Sequence, residues 1–164
     1  MPQTREYPTQ QELQARYRYE PDTGKLFNRK TGRELKGKSH GYILVKFNKT
    51  VLPAHRVIWI IHYGSVPTDM EIDHINNNRS DNRIENLRLC TNSQNAMNAV
   101  AKKGRRFKGV SKSSRNTFVA RITIDYKRIF LGNFPNPEEA HQAYLKAAEK
   151  YFGKFAYHLN QWKA

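Results

Sequence analysis

The sequence predicts an α+β chain of two small units: a strand, loop, strand and helix, followed by a small three-stranded antiparallel sheet packed on one helix. Three observations carry this. Apolar residues come in short runs bounded by Gly, Pro and Asn clusters. A polar segment, NNNRSDNRIEN (76–86), separates two of the runs, and a basic, glycine-interrupted stretch, KKGRR (102–106), divides the chain where its charge changes. At 164 residues and 38% hydrophobic content, the chain can build one ordinary domain or two small ones with modest cores.

In TQQELQARY (9–17), Leu13 and Tyr17 stand four apart on helix-compatible sequence, so a short helix is expected. EPDTG (20–24) has turn chemistry between YRY and KLF and reads as a hairpin. GYILVKF (41–47) and TVLPA (50–54), joined by Asn48-Lys49, form a second hairpin. HRVIWIIHYG (55–64) reads as a buried helix stopped by Gly64. EIDHI and LRLCT are strands on either side of the polar segment, and Ser93 or Asn92 can cap a following helix, QNAMNAVAKK, which Gly104 would stop. FKGVSKS, TFVARITI and KRIFLGNF then alternate as three strands, with turns at SSRN and around Asp125 and Tyr126. Asn136 caps the last helix, Pro137 suits its first position, and Ala140, Ala143, Tyr144 and Ala147 give it a small apolar face for the sheet. The expected organisation is residues 1–101, a linker at 102–106, and a second domain at 107–160.

The 29 Lys and Arg against 14 Asp and Glu give a net charge of +15, a field that draws polyanions, and nucleic acid is the first partner it suggests. Residues 1–100 carry 15 basic and 10 acidic side chains, and residues 101–164 carry 14 and 4, so a specialised binding part is expected at the C-terminus. A membrane surface would ask for an apolar helix face or lipid anchor beside the charge, and neither is evident. The single cysteine, Cys90, excludes an intramolecular disulfide and a cysteine-rich zinc site, and it reads as a small packing residue. The longest apolar run, Val57 to Ile61, is too short to span a bilayer, and the N-terminus lacks a signal-peptide run, so a cytoplasmic protein is expected.

The chemistry-bearing stretch is DHINNN (73–78). Phosphodiester hydrolysis needs a base for water and a cation on the scissile phosphate. Histidine titrates near neutrality, and Mg²⁺ prefers oxygen ligands while keeping several waters. Successive side chains on a regular strand point to opposite sides, so a bend or bulge is expected to bring Asp73 and His74 to one site. Asn77, Asn78 and Asn82 read as turn-makers in a polar loop. His55 and His62 read as core or edge histidines, and Arg56 as a helix-surface residue.

Asp73-His74 on one strand, Asn86 in IENLRL and Asn95 in SQNAMN resemble the HNH endonuclease family, whose motif folds as ββα around one metal; the match spans EIDHINNNRSDNRIENLRLCTNSQNAMN. The flanking HRVIWIIHYG and GYILVKF look like those of phage and intron-borne homing-type members. The resemblance implies His74 as general base, Asp73 and Asn95 as ligands of one Mg²⁺ or Mn²⁺ ion, and Asn86 as the brace of the loop carrying His74. Asn95 stands where the name-giving pattern has His, which favours a hard, oxygen-coordinated ion over zinc.

Residues 107–160, with KGV, FVARI, RIFLGNF and PEEAHQAYLKAA, resemble the DNA-binding domain of plant ethylene-response factors, whose three-stranded sheet lies in the major groove. By matching position, Lys108, Arg121, Thr123, Arg128 and Phe130 are implied to face DNA. Lys112, Arg115, Arg105 and Arg106 extend the basic surface. Two family positions that are usually arginine are Ser111 and Ser113 here, so base preference does not carry over. The expected function is a metal-dependent HNH endonuclease that nicks or cleaves double-stranded DNA as a monomer or DNA-assembled dimer, with no obligatory protein partner. The rivals are a sequence-specific DNA-binding protein with an inactive nuclease scaffold, and a nuclease of structured RNA.

Overall fold

The computed structural model describes residues 7–99, 107–113 and 116–156. The chain divides into two compact units, Met1–Asn92 and Ser93–Ala164.

The first unit opens with helix α1, Gln10–Arg16, closed at its start by a capping box in which Thr9 and Glu12 satisfy each other's backbone N–H groups. Strands β1 (Tyr17–Glu20) and β2 (Lys25–Asn28) form an antiparallel hairpin. A second sheet follows, made of β3 (Lys38–Ser39), β4 (Tyr42–Phe47) and β5 (Thr50–Pro53). The short β3 has no sequence signal, because its pairing depends on a two-residue register with Tyr42 and Ile43. Helix α2, Ala54–Tyr63, buries Val57, Ile58, Trp59 and Ile60 and ends at Gly64, whose φ of 90° is cheap only for glycine. The amides of Gln10 and Gln14 donate to the Ile61 carbonyl at 2.9 and 3.1 Å, which ties α1 to the last turn of α2. Leu13, Tyr17, Leu26, Val45, Leu52 and Ile58, each at most 2% exposed, form the centre of this core. Against its edge lies the hairpin β6 (Glu71–His74) and β7 (Leu87–Cys90).

Helix α3, Asn92–Asn98, begins early enough to contain both Asn92 and Ser93, so neither stands before the helix as its cap. The expected stop at Gly104 and the KKGRR linker lie outside the described residues.

In the second unit, β8 (Val110–Lys112), β9 (Phe118–Ile124) and β10 (Lys127–Phe134) form an antiparallel sheet with β9 in the centre. Asp125 and Tyr126 both take positive φ, 46° and 64°, which is the backbone twist a two-residue hairpin turn requires. Helix α4, Pro137–Phe152, starts at Asn136, whose side chain accepts from the Glu139 N–H at 2.8 Å. Ala140, Tyr144, Ala148 and Phe152 face the sheet from α4. Gly109 is required here because a Cβ at that position would collide with the Tyr144 ring. No helix among the described residues is long and apolar enough to cross a membrane.

Candidate functional site

The polar segment between β6 and β7 is a folded loop held by its own side chains. Asn77 takes a left-handed φ of 60°, and its N–H donates to the His74 carbonyl at 2.9 Å. Asn86 spans the loop: its Oδ1 accepts from the Asn76 N–H at 3.0 Å and its Nδ2 donates to the Asp81 carbonyl at 2.8 Å. Asp81 takes a fork from Arg83 at 2.9 and 2.8 Å and a further bond from Asn76 at 2.8 Å. Arg83 is the main cause that holds the Asp81 carboxyl below its usual range. From outside, the second sheet clamps the loop, with Arg79 donating to the His40 carbonyl at 3.0 Å and Ser80 to the Gly41 carbonyl at 3.1 Å.

His74 stands at the start of this loop, only 4% exposed. Its Nε2 lies 2.9 Å from Asn82 Oδ1, and its ring meets His55 edge-on at 5.0 Å, with Tyr42 6.0 Å away. Burial pushes the His74 imidazole below its ordinary pKa, opposed by the Asn82 bond and by the Asp73 and Asp81 carboxylates. The neutral ring that results at neutral pH is the form able to take a proton. His55, also buried, is pushed down to about 3, first by desolvation and then by His74 and Arg56.

The β6–β7 pairing runs Asp73 against Arg88 and His74 against Leu87 with no register shift, so the expected bulge is not present. Both neighbours are buried, and the Asp73 carboxylate is close enough to act on the His74 imidazole. Asp73 Oδ2 accepts from Arg88 Nε and Nη2 at 2.9 and 2.8 Å, an ion pair whose partners are 6% and 13% exposed. Among the described residues, no group of three or more His, Cys, Asp and Glu side chains gathers as a metal site. A carboxylate and an amide oxygen, the donor types of Asp73 and Asn95, are ones a hard ion accepts while keeping several waters. Asn95 is half-buried on α3, within the second compact unit.

On the sheet of the second unit, β9 alternates from Arg121 onward: Ile122 faces α4, and Arg121 and Thr123 are exposed. Cross-strand pairing puts Arg128 opposite Thr123 and Phe130 opposite Arg121, with Phe130 56% exposed. These four residues share one open face. Lys112 pairs with Phe118 and so lies toward the α4 side. Lys108 is turned inward: its ammonium donates to the Ala96, Met97 and Ala99 carbonyls at 3.2, 2.8 and 2.7 Å, where it neutralises the C-terminal end of α3. Desolvation pushes the Lys108 pKa down to about 8. Arg105, Arg106 and Arg115 lie outside the described residues.

Asn82 and Arg88 carry site contacts that sequence reasoning missed. Arg88 was reachable from the hairpin register, since its pairing with Asp73 follows from the residues at the strand ends. Asn82 had no such signal, because its neighbours Asn76, Asn77 and Asn78 offer the same chemistry at similar spacing.

A model of the HNH endonuclease family matches residues 52–97. The chain is 37% identical over 113 residues to a protein of Acanthamoeba polyphaga mimivirus named as an uncharacterized HNH endonuclease, covering 68% of this chain and 59% of that relative. A solved structure described as DNA binding and cleavage by the HNH homing endonuclease I-HmuI is 21% identical, with a TM-score of 0.41, and covers 84% of this chain and 77% of its own.

Proposed function

We propose that this chain, whose residues 52–97 match a model of the HNH endonuclease family, is a metal-dependent DNA endonuclease guided by its C-terminal sheet. The observation that carries the reading is the joint burial of Asp73 and His74 on one strand, beside a loop tied across by Asn86. His74 takes a proton from the attacking water, and its buried, neutral ring suits that task. Asn86 keeps the loop after His74 from changing shape. Asp73 and Asn95 would hold one Mg²⁺ or Mn²⁺ ion. When bound, such an ion supplies positive charge to the scissile phosphate and its departing oxygen. Arg88 holds the Asp73 carboxylate in one orientation through two N–H bonds.

The open face of the C-terminal sheet supports double-stranded DNA as substrate. Arg121, Arg128 and Thr123 offer hydrogen bonds to phosphates and base edges, and the ethylene-response-factor-type module would place them in the major groove. One such site cuts one strand, so a monomer nicks, and a double-strand break needs a DNA-assembled dimer or two successive events.

The test is conversion of supercoiled plasmids with varied inserts to open circles, by the wild type and by His74→Ala, each with Mg²⁺ and with EDTA. Nicking by the wild type with metal alone, reduced about 10²- to 10⁴-fold in His74→Ala, is the expected result. DNA binding by both proteins with cleavage by neither would instead favour a DNA-binding protein on an inactive scaffold.

A further inference from the structure

We propose that Asn82, seated by the N-terminal hairpin, is the positioning residue that holds His74 in the ring orientation and tautomer it uses. The inference rests on His74 acting as general base, and it gives the β1–β2 hairpin a part in the reaction.

Asn82 is 1% exposed, so it cannot touch DNA. Its Oδ1 lies 2.9 Å from His74 Nε2. An amide oxygen only accepts, so Nε2 carries the hydrogen, and the ring lone pair of a neutral His74 falls on Nδ1. At the other end of the amide, Nδ2 is buried with no protein hydrogen-bond partner among the described residues. A fold selected for stability alone would place an apolar side chain there, since an orphaned buried donor is costly. The tolerated orphan points to the oxygen as the reason for the residue.

Asn82 is held from the hairpin side at two points. The Tyr19 hydroxyl donates to the Asn82 carbonyl at 3.2 Å and accepts from the Ile84 N–H at 2.9 Å, bracketing the residue along the chain. Gly24, at the hairpin turn with φ of 69°, packs so closely that a Cβ there would lie 2.7 Å from the Asn82 carbonyl carbon and 2.5 Å from the Arg83 nitrogen. The hairpin is thus a template against which residues 82–84 are pressed, and the Asn82 side chain carries that placement to the imidazole.

The experiment compares wild type, His74→Ala, Asn82→Leu and Tyr19→Phe. Nicking kinetics use a plasmid the wild type cuts. In parallel, ¹H–¹⁵N spectra of the uncut protein follow the histidine ring N–H signals, with His74→Ala assigning the one from His74. A buried, bonded Nε2–H exchanges slowly enough to be seen. Asn82→Leu is expected to lose that signal and to lower kcat about 10- to 100-fold with KM for plasmid unchanged within about twofold. Tyr19→Phe keeps the signal but shifts it, and lowers kcat about three- to tenfold. A His74 ring N–H absent from the wild type, or unchanged in Asn82→Leu, overturns the proposal, as does a kcat for Asn82→Leu equal to the wild type. If Asn82→Leu does not fold, Tyr19→Phe decides: lowered kcat at constant KM supports the proposal and unchanged kcat overturns it. A wild type that cuts no plasmid sinks the nuclease reading alone, because the ring N–H signal still rules on the Asn82 contact.

Discussion

The two units use polar residues in opposite ways. In the first, Asp73, His74, Asn82 and Asn86 are each at most 6% exposed, and each is bound to a named partner. In the second, Arg121, Thr123 and Arg128 stand on an open sheet face. The first arrangement spends stability on geometry, because desolvated polar groups must be matched to be tolerated. The second leaves cations in water, where folding does not depend on them and a polyanion can displace their solvent. Chemistry at a phosphorus atom needs fixed groups, whereas gripping a long charged polymer does not.

The sharpest way to break this contrast is to delete one cation from each unit and compare the costs. Arg88→Leu leaves the Asp73 carboxylate buried without its ion-pair partner, and a loss of about 3–5 kcal/mol in unfolding free energy is expected. Urea denaturation measures it. Arg121→Ala, by the same measurement, is expected to stay within about 0.5 kcal/mol of the wild type. Equal losses from the two substitutions would mean that the sheet face is as tightly built into its fold as the β6–β7 hairpin.

The same contrast explains what could be read before the structure. The hairpins, α2, the three C-terminal strands and α4 were legible because each rests on local signals: turn residues, alternation, and the Asn136-Pro137 start. The grouping of Arg121, Thr123, Arg128 and Phe130 on one face was implied by the resemblance to the ethylene-response-factor domain, and the β9–β10 pairing has it. The loop was only half legible. Asn86 was reached through the resemblance to the HNH motif, but Asn82 reaches His74 because the chain doubles back, and no local rule encodes that. Lys108 shows the reverse error. By matching position in the family resemblance it was implied to face DNA, yet its ammonium donates to the carbonyls of Ala96, Met97 and Ala99 at the end of α3. Charge counts reveal how many cations a region has, and tertiary packing decides which of them reach solvent.

On the exposed side, the effect of substitution is expected in binding rather than folding. Arg121→Ala and Arg128→Ala should each weaken DNA binding in EDTA by about 1–3 kcal/mol if they reach base edges, with specificity relaxed at one position of the site. If they reach phosphates, the loss is uniform across sequences and each flattens the slope of log affinity against log salt by about one unit. Titration of the wild type and both variants across salt concentrations separates the two cases. With about six phosphates covered, the wild-type slope is expected near −5, and a slope near zero would remove the duplex from the account.

The buried side carries a dependence on pH that the exposed face does not supply. His55 has an ordinary pKa of 6.5 that burial lowers to about 3 in the folded chain. Below about pH 6.5 the unfolded chain therefore takes up a proton that the folded chain refuses. The contribution is fully favourable above 6.5 and declines as pH falls toward 3, by at most about 1.4 kcal/mol per unit. Unfolding free energies measured in urea between pH 7 and pH 4 should fall more steeply for the wild type than for His55→Gln, which has no proton to gain. Parallel curves would mean that His55 keeps access to water, and that the ring cluster of Tyr42, His55 and His74 is not the dry wall on which a fixed His74 depends.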